Sequence, residues 1–140
     1  QAMGYMALYG IELQPYAVER AKQVSSGIQI IQGSVFDIPF KDNYFDLVFT
    51  SGVLIHIAPE DLPKAMSEIY RTSRRYIWGF EYFADKVKEI PYRGNERKMW
   101  KGNYADLYLR LFPDLQLVKE RKFKYINNEN VDQMFLLEKK

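Results

Sequence analysis

Residues 30–57 read IIQGSVFDIPFKDNYFDLVFTSGVLIHI. Two apolar runs lie in this stretch, and each ends in small or polar residues. The first runs into Gly33 and Ser34, the second into Thr50, Ser51 and Gly52. Short apolar runs bounded by turn residues are strands. In an open α/β sheet, ligands bind in the crevice outside the carboxyl ends of the strands. Two such ends lie close together in the chain, so the site is expected here. Leu47, Val48 and Phe49 are continuously apolar. That pattern predicts a central parallel strand covered on both faces.

Working outward toward the N-terminus, residues 7–13 form a short apolar strand that ends in Glu12. Pro15 suits the first position of a helix, where its missing N–H is not needed. Residues 16–23 continue that helix, with Ala17, Val18 and Ala21 on one face, and Ser25, Ser26 and Gly27 break it. Residues 28–32 are the next strand. Toward the C-terminus, Ala58, Pro59, Glu60 and Asp61 predict a helix start, with Pro and acids in the first turn. Leu62, Ala65, Met66 and Ile69 then recur at helical spacing, and Arg71, Arg74 and Arg75 follow at the helix end. Residues 76–82 read as a strand containing Glu81 near its end. Residues 84–101 are irregular, polar and aromatic, a length of connection often used as a functional lid. A helix through Tyr104, Leu107, Tyr108 and Leu111 stops at Pro113, and strands follow at 115–125 and 133–138. Strands joined by helices imply right-handed crossovers. The expected class is therefore α/β and doubly wound, with a mostly parallel sheet and an antiparallel C-terminal edge pair.

The chain has 140 residues, which fits a single domain, and 47% of them are hydrophobic. A net charge of +2 does not argue for nucleic acid. There is no cysteine, hence no disulfide framework and no thiolate metal site, which suits a cytoplasmic protein. No apolar run approaches the ~20 residues that span a bilayer. With one histidine and no cysteine, a zinc site is not expected.

Four groups of residues carry possible chemistry. Glu12 ends a strand, where an acid can accept from both hydroxyls of a ribose; it can equally be a solvated acid near a helix start. The turn after Gly33 presents backbone N–H groups and the Ser34 hydroxyl. Val35 and Phe36 can flank a flat base there, and Asp37 can accept from an exocyclic amine or simply cap the turn. Thr50, Ser51 and Gly52 form the third group with His56; Gly52 allows close backbone approach. His56 is either a general base or a structural hydrogen-bonding residue. Glu81, Tyr82 and Phe83, with Pro91, Tyr92, Arg93 and Gly94, form the fourth group, at and beyond a strand end. Arg93 can bind a carboxylate or phosphate, or can sit in an aromatic surface loop. No phosphate-cradling glycine-rich loop and no nucleophile elbow are present.

At these residues the chain resembles class I S-adenosylmethionine-dependent methyltransferases. The matching pieces are YGIELQPYAVERAKQ, the stretch 30–57 and the helix PEDLPKAMSEIYRTSRRYI. The later EIPYRGNERKMWKGNYADLYLRLFPDLQLV resembles methylases associated with pseudaminic acid biosynthesis, which serve bacterial surface sugars. The resemblance implies a Rossmann-like methyltransferase sheet with S-adenosylmethionine as cofactor. It implies that Glu12 and Leu13 meet the ribose, Ser34, Val35, Phe36 and Asp37 the adenine, and Thr50, Ser51 and Gly52 the methionine arm. The family commonly has an acid at the position of Ser34. Its first strand and glycine-rich loop find no match here, and residues 1–6 look like the tail of the helix after that loop. A sheet truncated at its N-terminus is therefore expected.

Two functions follow as expectations. One is methyl transfer to a small-molecule acceptor, with catalytic candidates His56, Glu81, Tyr82 and Arg93. The other is a non-catalytic remnant of the fold that self-associates, as a homodimer, over a bare sheet edge. Binding of nucleic acid through Arg71, Arg74 and Arg75 is disfavoured, because a cluster at a helix end complements the dipole. Attachment to a membrane is not expected.

Overall fold

The computed structural model describes residue 4 and residues 7–140. Apart from Gly4, the expected helix tail at residues 1–6 lies outside the described residues. Two compact units are present, one ending at Pro39 and one spanning Phe40–Lys140.

The N-terminal unit is a β-α-β element. Strand β1 (Leu8–Glu12), helix α1 (Pro15–Val24) and strand β2 (Ile28–Gln32) follow one another. The two strands pair in parallel from Leu8↔Ile28 to Glu12↔Gln32. Pro15 opens α1 as its spacing predicts. The chain turns into the helix through Glu12, whose Oε1 accepts the Gln14 N–H at 3.1 Å. Val18 is the buried residue of the helix. The pairing continues one residue past β2, where the Gly33 N–H donates to the Glu12 carbonyl at 3.0 Å.

The C-terminal unit holds strand β3 (Phe45–Ser51), a 3-10 turn at Leu54–His56, helix α2 (Leu62–Thr72) and strand β4 (Ser73–Tyr82). Two-residue strands β5 (Lys88–Glu89) and β6 (Trp100–Lys101) follow. Helix α3 (Tyr104–Leu111) and strands β7 (Leu115–Lys124) and β8 (Val131–Lys139) complete it. Four strands form one sheet in the order β3-β4-β8-β7. The apolar stripe of α2 is buried at Leu62, Ala65, Met66 and Ile69, together with Ile77, Tyr104, Tyr108, Phe135 and Leu137. Gly79 pairs with Phe135 across β4 and β8. A side chain at Gly79 would run into the Phe135 ring, so glycine there makes room for that ring. Among the described residues no helix is long and apolar enough to cross a membrane.

Three expectations need correction. The sheet of this unit is mixed rather than mostly parallel: β3 and β4 run parallel, while β4–β8 and β7–β8 are antiparallel. The last hairpin does form an antiparallel pair at one edge of this sheet, with β7 outermost and β8 between it and β4. In β8, Gln133, Phe135 and Leu137 are buried on one face. Second, β3 is not covered on both faces. Among the described residues it has a hydrogen-bonded neighbour on one side, and Phe49 is 60% exposed. A continuous apolar run reports strand propensity and does not fix the number of neighbours. Third, α2 begins at Leu62, later than the predicted start at Ala58. Residues 58–61 form a turn with the Asp61 N–H on the Ala58 carbonyl. Pro63 lacks an N–H and fits only the first helical turn, so it places the start and Pro59 does not.

Candidate functional site

The N-terminal unit presents its candidates at the carboxyl ends of β1 and β2. Glu12 is half-buried and Leu13 is 60% exposed. The Gln32 amide reaches the Leu13 carbonyl at 3.5 Å, tying the two strand ends. After Gly33 the chain folds into a tight turn. The Ser34 Oγ accepts the Phe36 N–H at 3.1 Å, and the Asp37 N–H donates to the Ser34 carbonyl at 3.1 Å. This is the local bonding expected when a hydroxyl stands in for a backbone turn. Val35 and Phe36 are half-buried and Asp37 is exposed. A hollow of about 370 Å³ in this unit is lined by α1 and β2 residues, Val18, Glu19, Lys22 and Ile30 among them. None of the predicted site residues lines it.

The C-terminal unit gathers a different set. Gly52 takes a positive φ of 64° and donates its N–H to the Phe80 carbonyl at 2.9 Å. This reverses the chain directly after β3. The turn that follows closes on the Glu81 carboxylate. The Val53 N–H reaches Glu81 Oε1 at 3.3 Å, and the Thr50 hydroxyl and the N–H groups of Leu54 and Ile55 also bond this carboxylate. Glu81 is 1% exposed, and its Oε2 is buried without a partner among the described residues. Burial raises the Glu81 pKa, and the hydrogen bonds from Thr50 and the turn only partly offset it.

The segment 84–101 is strapped against this turn. The His56 Nδ1–H donates to the Lys98 carbonyl at 2.9 Å, because a carbonyl can only accept. The His56 ring lies 5.1 Å from that of Tyr92, and Arg97 pairs with Glu60. Between them, the ends of β3 and β4, the strap and the β7–β8 hairpin enclose a cleft of about 380 Å³. Gly52, His56, Glu81, Tyr92, Tyr125 and Asp132 are among its lining residues. The Tyr82 and Tyr125 rings meet edge-on at 5.9 Å, and the Tyr125 hydroxyl faces Asp132 Oδ1 at 3.4 Å. Tyr82, hydrogen-bonded to Tyr125, is the main reason the Tyr125 pKa is raised.

The structure therefore brings Ser51, Gly52, His56, Glu81 and Tyr82 to one cleft. Thr50 joins them through its bond to Glu81. Arg93 is not among the lining residues; it has a positive φ of 48° and its guanidinium stacks over the Tyr92 ring at 5.2 Å. Tyr125 and Asp132 are among the lining residues that sequence reasoning missed, with Ile55, Phe80 and Met99. The register Tyr82↔Asp132 brings Asp132 there, and only strand order reveals it. The buried amide of Gln133 was missed too, and it donates to Asn103 and Glu120, both at 2.9 Å. The three arginines are each ion-paired: Arg71 with Glu68 and Asp42, Arg74 with Asp46, and Arg75 with Glu138.

Residues 1–75 match the family described as "Methyltransferase domain". An uncharacterized methyltransferase from Synechocystis sp. is 34% identical over 76 residues, which cover 51% of this chain and 36% of that protein. The chain thus spans little more than a third of that curated relative. Among solved structures, the PH0226 protein of Pyrococcus horikoshii OT3 superposes with a TM-score of 0.74 at 17% identity, covering 99% of this chain and 74% of that one. A SAM-dependent methyltransferase of Methanosarcina mazei gives a TM-score of 0.74 at 12% identity, with 95% and 82% covered. The 1,6-didemethyltoxoflavin-N1-methyltransferase of Burkholderia thailandensis, solved with 1,6-didemethyltoxoflavin and S-adenosylhomocysteine bound, gives 0.70 at 13% identity, with 94% and 60% covered. At these identities the structural likeness establishes an α/β Rossmann-like fold.

Proposed function

Because the chain belongs to the methyltransferase-domain family, we propose that it serves S-adenosylmethionine-dependent methyl transfer to a small-molecule acceptor. Surface-sugar biosynthesis is the setting that the sequence resemblance suggests. When bound, S-adenosylmethionine supplies a sulfonium-activated methyl group. The observation that carries the reading is Glu12 at the carboxyl end of β1. Its carboxylate is held by the Gln14 N–H beside the turn that starts at Gly33. A carboxylate so placed accepts from the two hydroxyls of a ribose. The half-buried Val35 and Phe36 offer apolar surface to a base, and the exposed Asp37 is an acceptor for its exocyclic amine. These acceptors and apolar surfaces suit an adenosine.

For the methionine arm we assign Thr50, Ser51 and Gly52 on grounds internal to the C-terminal unit. A Cβ at Gly52 would meet no atom within 4 Å, so its backbone is open to close approach by a ligand. Displacement at a methyl carbon is helped chiefly by aligning the reactants, which needs no strong base.

Titration calorimetry with S-adenosylhomocysteine tests this reading. Glu12→Ala is expected to weaken binding about 10- to 100-fold, the cost of about 1.5–3 kcal/mol for a charge-assisted hydrogen bond. Equal binding by the variant and the parent would overturn the ribose assignment.

One observation favours a second reading, self-association without catalysis. Among the described residues β3 is an edge strand of its sheet, and Phe49 and Leu47 are 60% and 40% exposed on it. Exposed apolar edges invite pairing with another chain. On this reading, sedimentation velocity finds a dimer that Phe49→Asp converts to a monomer. A parent chain that stays monomeric at every concentration excludes it.

A further inference from the structure

We propose that the Glu81 carboxyl is a neutral acid in the folded protein, its proton on Oε2 and donated to the Gln133 side-chain oxygen, and that this acid–amide pair positions the turn after β3. Glu81 and Gln133 stand directly opposite each other on β4 and β8. Both are buried, and they share the buried face of the ladder. Directly opposed residues of antiparallel strands bring their side chains into contact. Each of the two carries an orphan atom. Among the described residues, Glu81 Oε2 and Gln133 Oε1 are buried without a hydrogen-bond partner. Two bare acceptors side by side repel, and buried polar atoms are almost always satisfied. One proton between them satisfies both. A carboxylate has none to give, whereas a carboxylic acid carries one O–H donor.

The amide itself cannot supply the proton. The Gln133 nitrogen donates to Asn103 Oδ1 and to Glu120 Oε1, both at 2.9 Å, so it is not free to turn toward Glu81. Glu120 lies on β7, and β8 runs between β7 and β4, so the amide oxygen is left toward Glu81. On the other side of the carboxyl, Oε1 accepts the Val53 N–H at 3.3 Å. One oxygen then accepts from the turn and the other donates to β8, which gives the carboxyl a single orientation. Asn103 Oδ1 also accepts the Asp106 N–H at 3.2 Å, so the bonds run from the start of α3 through Gln133 and Glu81 to the turn that brings Gly52 and His56 to the cleft. Burial raises the Glu81 pKa, in keeping with a retained proton. The titratable groups packed around the pair are Tyr104 and Tyr108 of α3, both raised by burial and by Glu81. Glu120 faces Gln133 from β7 and is ion-paired with Lys122. On the turn, His56 is engaged with the Lys98 carbonyl. Tyr82 and Asp132 are the next residues along β4 and β8 and point to the opposite face.

Carbon-detected NMR of the side-chain carboxyls, recorded against pH, tests this. Glu81 should keep the resonance of a protonated acid through the range in which the exposed glutamates ionise. Gln133→Leu removes the acceptor and should move the Glu81 titration about one pH unit toward theirs, the worth of one hydrogen bond. Gln133→Met, of similar length and also without the acceptor, gives the same reading if the leucine variant does not fold. The amide resonances of Val53, Leu54 and Ile55 report on the turn. In the parent they should shift as Glu81 loses its proton. Glu81→Gln places an amide N–H where the acid had its O–H, so the same resonances should hold their acid-state positions at every pH. Glu81→Leu should displace them at every pH. A Glu81 that titrates with the exposed glutamates would overturn the proposal. So would a titration untouched by removal of the Gln133 oxygen, or turn resonances that shift with pH as much in Glu81→Gln as in the parent.

Discussion

Glu81→Ala is expected to destabilise the protein by about 3–5 kcal/mol, because it strips the acceptor from several buried donors at once. The carboxylate receives the Thr50 hydroxyl and the N–H groups of Val53, Leu54 and Ile55. Leu54 and Ile55 are buried, so water cannot replace the lost partner. The loss should lower the thermal midpoint by about 10 °C or more. Glu81→Gln is expected to behave differently. The amide oxygen can take the turn N–H groups, and the amide nitrogen falls where Oε2 has no donor to lose. The contrast with the parent should depend on pH. Folding raises the Glu81 pKa above its ordinary 4.5, so the native state holds a proton that the unfolded chain has released. The stability tied to that proton is fully present below 4.5 and is lost as pH rises through the folded value. Glu81→Gln cannot lose it. Its midpoint should match the parent in acid and exceed it increasingly as pH rises. Glu138, whose pKa Arg75 lowers, acts with the opposite sign but cancels in the comparison. A gap that is constant with pH would refute the account.

Gly79→Ala is expected to cost about 1–3 kcal/mol by overpacking, although alanine suits a strand better than glycine. The new methyl would lie 2.8 Å from Phe135 Cε2 and closer still to the ring tip. The ring has little room to yield. Phe135 is 1% exposed and lies beside the buried Tyr108, with ring centroids 6.1 Å apart. Trimming the ring should release the conflict. In Phe135→Leu the added methyl should cost less than in the parent, with a coupling of about 1 kcal/mol or more between the two sites. Denaturant unfolding of the four-member cycle measures this. Additive effects would show that Gly79 is not a slot for the ring.

How much of this was legible in the sequence differs by region. The β1-α1-β2 element could be read almost residue by residue, since Pro15 and the strand 28–32 carry local signals that nothing distant overrides. The buried stripe of α2 was legible too, but its start was not. Pro59 and Pro63 offer the same signal, and only the second is compatible with a first helical turn once both are weighed. Strand β8 was visible as alternation, yet its insertion between β4 and β7 was not, because alternation marks a buried face and is silent about the neighbour. The same limit misplaced β3 as a covered central strand. At the candidate site, Glu12, Ser34, Gly52 and Glu81 stood out because they lie at or just past strand ends. Tyr125 and Asp132 did not, because Asp132 reaches the cleft through its register with Tyr82 and Tyr125 through the hairpin bond of its N–H to the Asn130 carbonyl.

By itself, then, the sequence determined the element types, the family and the strand ends where chemistry is expected, all of which depend on short-range propensity and periodicity. Only the tertiary structure decided which residues share a cleft. It showed Glu81 buried and bonded by the turn at Val53, His56 tied through Nδ1 to the strap, and Arg93 stacked on Tyr92 and absent from the lining. Those outcomes turn on strand order and desolvation. Both are set by residues far apart in the chain, so no local pattern encodes them.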